Sequence, residues 1–147
     1  MTVECRFCEI AQAAAPADVV WETADVVAFL DRRPLFPGHT LVVPRRHVAT
    51  LDDLPEDLIP AVFGAARRLS GAVRRATGAQ GTFVAMNNVV SQSVPHLHVH
   101  VVPRTRGDGL RGFFWPRRGY DDDAHRSAVA EAIRAALANR GDAPGPD

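Results

Sequence analysis

Three histidines alternate with apolar residues over residues 96–102, which read His-Leu-His-Val-His-Val-Val. On a β-strand every second side chain projects from the same face. His96, His98 and His100 would therefore line one site, while the apolar residues would face a core. A neutral imidazole can act as a nucleophile, a proton donor or a metal ligand near neutral pH. Exposed strands favour threonine or charged residues, so the pattern indicates either a catalytic site or a three-histidine metal site.

The only two cysteines, Cys5 and Cys8, have the Cys-x-x-Cys spacing of a redox pair or of one half of a tetrahedral zinc site. A redox pair normally follows the strand of a βαβ unit, and no strand-forming stretch precedes Cys5. The zinc alternative needs two more ligands from elsewhere in the chain. In a third alternative the thiols bind no metal and pack as small apolar groups.

The composition indicates a globular protein without a bias towards nucleic acid. The chain has 147 residues, of which 46% are hydrophobic and 23% charged, and its formal net charge is zero. This length fits one folded domain, which we place at residues 1–139, with a flexible tail at 140–147. Zero net charge disfavours charge-driven binding to nucleic acid or to an anionic membrane. No apolar run reaches the roughly 18 residues of a membrane span, and no apolar signal sequence is visible, so we expect a cytoplasmic protein.

The elements that position these residues follow from apolar periodicity and from turn residues. Apolar, β-branched runs predict five strands, at residues 19–22, 26–30, 40–43, 82–86 and 96–102. Helical spacing predicts helices at residues 9–15, 54–77 and 124–139. Pro55 would lie in the first turn of the second helix, Gly78 would stop it, and the aspartates at 121–123 would cap the third. This order of elements predicts an α+β fold around an antiparallel five-stranded sheet.

The stretch at residues 92–104, Gln-Ser-Val-Pro-His-Leu-His-Val-His-Val-Val-Pro-Arg, closely resembles the signature of the histidine triad (HIT) nucleotide hydrolases and transferases. Residues 29–31, Phe-Leu-Asp, and residues 37–47, which begin Pro-Gly-His-Thr, are similar to the N-terminal half of that family. The resemblance covers about residues 5–105 in order. It implies a HIT-like fold, a small-molecule nucleotide as substrate, and a homodimer whose two sheets join into a ten-stranded sheet.

The resemblance also implies catalytic roles. In the family the middle histidine attacks the α-phosphorus of a nucleotide and forms a nucleotidyl-histidine intermediate, which makes His98 the nucleophile here. His100 is similar to the residue that contacts phosphate and helps to protonate the leaving group, and His39 to a histidine that supports the triad.

Further residues match the nucleotide-binding positions of the family. Asp31 resembles the carboxylate that binds ribose hydroxyls. Phosphate would be bound from the segment that precedes the triad, and an apolar slot would hold the base. The residues implied for these two roles are Asn87, Asn88, Gln92 and Ser93 for phosphate, and Phe7, Ile10, Phe29 and Leu30 for the base.

Many bacterial members of the family carry a Cys-x-x-Cys pair near the N-terminus and use it to bind zinc. By this resemblance the two missing ligands are His47 and His96, which with Cys5 and Cys8 form a closed Cys₂His₂ set. Such a set has the chemistry of a structural zinc site. His98 and His100 would then remain free for phosphate, and no organic cofactor is implied.

Two segments depart from the family pattern. Residues 87–92 form a loop that is shorter than in many relatives and has no glycine, and β-branched Val89 and Val90 are not expected to take the positive φ that glycine would supply. Residues 104–119 contain an aromatic run at 113–115 beside several arginines. That segment would pack against a dimer partner, or it would form a lid in which Arg111 and Arg117 meet the distal phosphates of a polyphosphate.

The pair Pro103-Arg104 is similar to the fragile histidine triad branch and to many bacterial members. It therefore favours hydrolysis of a dinucleoside polyphosphate. A nucleoside phosphoramidase is the close alternative. An alternative of a different class is a zinc-stabilised nucleotide-binding or interaction protein with little turnover, which the short loop would favour.

Overall fold

The computed structural model describes residues 4–111 and 117–139. One compact unit extends to Asp108 and a second begins at Gly109, and each is described by itself. The helices and strands of the first unit are α1 (Arg6–Ala11), β1 (Val19–Glu22), β2 (Val26–Leu30), β3 (Thr40–Pro44), α2 (Ile59–Thr77), β4 (Gly81–Ala85) and β5 (Val99–Arg104). The second unit contains α3 (Asp123–Asn139).

The five strands form one antiparallel sheet in the order β1-β2-β3-β5-β4. The α+β prediction with an antiparallel five-stranded sheet is therefore confirmed. On β5, His100 pairs with Leu41 of β3 on one side and with Ala85 of β4 on the other. His100 thus lies inside the sheet and not at its edge.

Helix α2 covers one face of the sheet. It buries Val62, Ala66, Leu69 and Val73 at helical spacing, against strand residues that include Val99. Gly78 ends the helix in the left-handed conformation at φ +70°, which confirms the predicted stop.

The predicted start of α2 at residue 54 is wrong. The helix begins at Ile59, after two short 3₁₀ turns (Leu51–Asp53 and Glu56–Leu58). Thr50 and Asp53 close a capping box on the first turn, which satisfies backbone donors before a helix can form. The proline in the first turn of α2 is Pro60 rather than Pro55. Proline suits that position because the first helical residues have no use for an N–H donor.

The opposite face of the sheet packs against α1. Phe7, Ile10 and Ala11 of α1 are buried with Phe29 and Leu41 of the sheet. The prediction of this helix at 9–15 is corrected to Arg6–Ala11, because burial of Phe7 draws the cysteine segment into the helix. Ala13 then ends it with a left-handed φ of +57°.

Strand β5 begins at Val99 and not at His96 as predicted. The N–H of Leu97 donates to the carbonyl of Val48 at 2.6 Å, which holds the preceding segment extended outside the ladder. The predicted alternation persists there, because Leu97 and Val99 are buried in the core beneath α2. His96 and His98 are also buried.

In the second unit, the Asp122 carboxylate accepts a hydrogen bond from the N–H of His125 at 2.7 Å. It caps α3 as predicted for residues 121–123. The aromatic run at 113–115 and the tail at 140–147 lie outside the described residues. Within the described ranges, no helix has the length and apolar character needed to cross a membrane.

Candidate active site and metal cluster

A cavity of about 380 Å³ opens between α1 and the histidine side of the sheet. Eight residues predicted for catalysis or nucleotide binding line it: Phe7, Ile10, Phe29, Leu30, Asp31, Ser93, His98 and His100. Residues that the sequence did not single out for the site also line it: Arg6, Pro16, Ala17, Arg32, Arg33, Leu41 and Val94. Apolar side chains form most of the wall, and the carboxylate and the imidazoles form its polar part, as in many small-molecule sites.

His98 lines this cavity, and a backbone contact fixes its tautomer. Its Nδ1 lies 2.7 Å from the backbone carbonyl oxygen of His96, and a carbonyl only accepts, so Nδ1 carries the proton. The lone pair of a neutral His98 is then on Nε2. The Phe7 ring packs edge-on against His98 with centroids 5.1 Å apart. The side chain is therefore held in one orientation with a nucleophilic nitrogen available.

His39 and His100 form a second imidazole pair whose tautomers are set by the backbone. The N–H of Leu35 donates to Nδ1 of His39 at 3.0 Å, so the His39 proton lies on Nε2. That nitrogen is 2.9 Å from Nδ1 of His100 and donates to it. Because Nδ1 of His100 accepts this bond, a neutral His100 carries its ring proton on Nε2, where it can donate to a ligand in the cavity.

Burial keeps both of these imidazoles neutral near pH 7. Burial, and after it the neighbouring His98 and His39, together lower the pKa of His100 to about 4, although Asp31 acts in the opposite direction. Burial also lowers the pKa of His39, partly offset by Asp31. His100 is therefore a neutral hydrogen-bond donor near pH 7.

Asp31 completes a three-residue group with His39 and His100, whose ligand atoms lie within 4.8 Å of one another. Such a group could hold a metal ion, but the N–H of Leu35 argues against it. A metal bound at Nε2 of His39 would move the ring proton to Nδ1, where it would face that N–H donor. The group is better described as a hydrogen-bonded chain.

The loop at residues 87–92 is held by its own amide side chains. Gln92 donates from Nε2 to the Ala49 carbonyl at 2.7 Å and accepts at Oε1 from the N–H of Val89. Asn88 accepts from the N–H of Leu51, and Asn87 donates to the Ser91 carbonyl. Of the four residues predicted to bind phosphate, Ser93 lines the cavity, whereas the amides of the other three make these loop contacts.

The expectation that Val89 cannot take a positive φ is wrong. Its φ is +68°, and that of Ser91 is +61°. A β-branched residue in this region is strained. The Gln92 side chain, which bonds to both Ala49 and the Val89 backbone, holds the loop in this conformation.

Cys5, Cys8, His47 and His96 form a cluster whose ligand atoms lie within 4.8 Å of one another. Sγ of Cys5 is 3.4 Å from Nδ1 of His96, and Sγ of Cys8 is 3.4 Å and 3.5 Å from Nδ1 of His47 and His96. Zinc bond lengths of about 2.3 Å to sulfur and 2.0–2.1 Å to nitrogen place tetrahedral S and N ligands roughly 3.5 Å apart. The four side chains therefore fit a zinc ion.

The immediate surroundings of the cluster also suit a metal. Nε2 of His96 lies 2.7 Å from the carbonyl oxygen of Pro44 and donates to it. This contact leaves the Nδ1 lone pair directed at the two thiols, the usual outer-shell arrangement for a histidine ligand. Without a cation, burial and, after it, the neighbouring Cys5 together raise the pKa of Cys8 to about 11. A bound cation would reverse this effect, since a coordinating thiol is deprotonated.

Among the residues that the sequence did not assign, Arg32 and Arg33 could have been found. They directly follow Asp31 and carry charge beside a carboxylate. Pro16 and Ala17 gave no such indication, because their position in the cavity wall depends on the path of the chain between α1 and β1.

Comparison with known proteins finds a family profile described as "HIT domain" that matches residues 12–107. An uncharacterized HIT-like protein of Mycobacterium tuberculosis is 36% identical over 141 residues, covering 92% of this chain and 94% of the relative. A solved structure titled as a Zn-bound histidine triad family protein, from Mycobacterium smegmatis, is 35% identical with a TM-score of 0.69 and covers 95% of this chain and 97% of its own.

Two relatives carry the names of enzymes. The adenosine 5'-monophosphoramidase HNT1 of Candida albicans is 29% identical over 125 residues, which are 81% of this chain and 82% of the relative. The adenylylsulfatase HINT3 of Arabidopsis thaliana is 31% identical over 109 residues, which are 73% of this chain and 55% of the relative. One name refers to a phosphoramidate of adenosine 5'-monophosphate and the other to adenylyl sulfate.

Proposed function

This chain belongs to the HIT domain family, and we propose that it hydrolyses adenosine 5'-phosphate derivatives that carry a small leaving group, such as a phosphoramidate. The reaction would occur at the α-phosphorus, through a covalent intermediate on His98. The relatives named for phosphoramidase and adenylylsulfatase activity favour this substrate class over the dinucleoside polyphosphate that the Pro103-Arg104 pair favoured. In this structure Arg104 is bound by the Asp108 carboxylate, with its Nε at 2.6 Å and its Nη2 at 3.0 Å.

The observation that carries the proposal is the hydrogen bond from Nδ1 of His98 to the His96 carbonyl. It leaves Nε2 as the attacking atom. In the first step a bond forms between Nε2 and the α-phosphorus while the bond to the leaving group breaks, and the leaving group takes up a proton from solvent. In the second step water attacks phosphorus, the P–N bond to His98 breaks with its electron pair returning to Nε2, and the proton that the attacking water loses is released to solvent.

The neighbouring side chains would stabilise and orient the nucleotide. The N–H at Nε2 of His100 would donate to a phosphoryl oxygen, where negative charge gathers in the transition state. A bound phosphate would in turn raise the pKa of His100 from its low value. Asp31 would accept from the ribose hydroxyls, and Phe7 and Phe29 would pack on the base.

Cys5, Cys8, His47 and His96 would hold a zinc ion. When bound, the metal would supply a cross-link between α1 and the segment before β5. Four protein ligands would leave no open position, so the catalytic chemistry is assigned to the histidines of the cavity. The homodimer, the cytoplasmic location and the single domain over residues 1–139 remain predictions, as does the proposed contact of Arg111 and Arg117 with distal phosphates.

The test is the intact mass of the protein after brief exposure to adenosine 5'-phosphoramidate, adenylyl sulfate or diadenosine tetraphosphate, quenched without acid. We expect an adenylyl adduct on the wild type and on His125→Asn, an exposed histidine of α3, and none on His98→Asn. Faster turnover of the phosphoramidate or sulfate would support the small leaving group, and faster turnover of the tetraphosphate would restore the alternative. Nucleotide binding without any adduct or turnover would favour the binding-protein alternative.

A further inference from the structure

We propose that His39 connects the ribose-binding carboxylate of Asp31 to His100, so that a ribose hydroxyl affects the rate of the chemical step as well as the affinity. This inference rests on the proposed function, in which the nucleotide places its ribose against Asp31. His39 is then a positioning residue that couples the sugar and phosphate parts of the site.

The single proton on Nε2 of His39 is hydrogen-bonded to one group and attracted electrostatically by a second. Nδ1 of His100 accepts the hydrogen bond at 2.9 Å, and Oδ2 of Asp31 lies 3.7 Å from the same nitrogen, beyond hydrogen-bond distance. His39 is only 3% exposed, so water does not compete for the proton. The contact from Leu35 to Nδ1 fixes the opposite end of the ring. One N–H therefore donates to a neutral nitrogen within the electrostatic reach of a carboxylate.

Asp31 can change the strength of the His39–His100 hydrogen bond when a ligand binds. Its Oδ1 accepts from the N–H of Arg33 at 2.9 Å, which leaves Oδ2 as the oxygen nearer His39. The carboxylate lines the cavity and is 23% exposed, so a ligand hydroxyl can reach it. A hydroxyl that donates to the carboxylate reduces its attraction for the His39 proton.

The N–H of His39 then donates more strongly to Nδ1 of His100. A stronger hydrogen bond there holds the His100 ring and directs its Nε2–H at the phosphate. Without the ribose hydroxyl, the carboxylate draws the His39 proton away and His100 is held less firmly. Because a neutral hydrogen bond is weakened here and not lost, the chemical step should slow on the order of fivefold.

The test compares single-turnover rates of adenosine 5'-phosphoramidate with those of its 2'-deoxy and 3'-deoxy analogues. In the wild type we expect at least one analogue to lose about fivefold in single-turnover rate in addition to its weaker binding. In His39→Gln the amide carries two protons and serves both acceptors at once, so the rate penalty should disappear while the binding penalty remains. Asp31→Asn, which removes the charge at constant size, should also abolish the rate penalty.

A second measurement does not depend on turnover. The ¹⁵N resonance of His100 Nδ1 is recorded with AMP and with 2'-deoxy- and 3'-deoxy-AMP bound. AMP should shift this resonance towards a stronger hydrogen bond than at least one of the deoxy analogues does, and the difference should vanish in His39→Gln.

The outcomes separate this inference from the proposed function. Equal rate penalties in the wild type and His39→Gln, with normal turnover, would overturn the connection and leave the function intact. A ribose-dependent resonance shift without turnover of any substrate would support the connection and overturn the function. Identical His100 shifts with all three nucleotides would overturn the connection.

Discussion

The backbone carbonyl of His96 accepts the hydrogen bond from Nδ1 of His98 at 2.7 Å, while the side chain of His96 belongs to the metal cluster. One residue therefore contributes to both sites. Phe7, which lies between the two cysteines in sequence, also contacts both, with ring centroids 6.0 Å from His96 and 5.1 Å from His98. The same short segments therefore position both the Cys₂His₂ side chains and the candidate nucleophile.

Metal removal should lower the thermal stability. A metal that binds only the folded state contributes about 4 kcal/mol when its free concentration is a thousandfold above Kd, which corresponds to roughly 10 °C in Tm for a domain of this size. We expect a chelator to lower Tm by this amount in the wild type. Cys8→Ser should start from the lower Tm and should not respond to the chelator. A wild-type Tm unaffected by complete metal removal would contradict a stabilising role.

Arg45 should be far less replaceable than its neighbour Arg46. Arg45 donates from Nε to the Thr23 carbonyl, from Nη1 to the Ala11 carbonyl and from Nη2 to Glu22. Lysine cannot supply this planar set of donors, so Arg45→Lys should cost about 2 kcal/mol in the free energy of unfolding.

Arg46→Lys is the matched control for that variant. Arg46 makes one exposed ion pair, with Asp57, and exposed pairs contribute roughly 0–1 kcal/mol. Urea denaturation of both variants provides the measurement. Equal losses would show that the three contacts of Arg45 do not act together.

Glycine at position 89 should stabilise the protein. Val89 is 76% exposed and has a φ of +68°, which costs an L-residue roughly 1–2 kcal/mol. Val89→Gly should raise the free energy of unfolding by about 0.5–1 kcal/mol after the greater flexibility of glycine in the unfolded chain is counted. Val90 is equally exposed, at 78%, and has no positive φ, so Val90→Gly should lower it by up to about 1 kcal/mol. The same sign for both variants would argue against strain at Val89.

The stability of the protein should depend on pH through His100. Its pKa is about 4 in the folded protein and roughly 6.5 in an unfolded chain. Between these values the unfolded chain binds more protons at this residue, so the free energy of unfolding rises with pH and is lost as pH falls from 6.5 towards 4. His100→Gln should show a shallower loss over this window in urea denaturation. Both proteins keep the same metal cluster, so acid release of metal acts equally on both. Parallel curves would contradict the low pKa.

The sequence was sufficient to predict the five strands and three helices, and it singled out many of the residues that line the cavity. Alternation of apolar residues along a strand is a local property, so the buried positions of Leu97 and Val99 and the order of the five strands along the chain could be read directly. Element ends were less predictable. Whether a helix begins at residue 54 or at Ile59 depends on the Thr50–Asp53 capping box and on where Pro60 lies relative to the core.

The sequence alone determines which chemical groups the site contains, because residue types set which groups can attack phosphorus or bind a metal. The tertiary structure decides which atoms do so. Folding brings Cys5 within 3.4 Å of His96 across 91 positions of chain, and the backbone groups of Leu35 and His96 choose the tautomers of His39 and His98. It also holds Val89 in a conformation that its local preference opposes. The Cys5–His96 contact and the Gln92–Ala49 hydrogen bond that holds the Val89 loop join segments distant in sequence. The contacts that set the two tautomers span only four and two residues, and they depend on the backbone conformation that the folded sheet imposes on those segments.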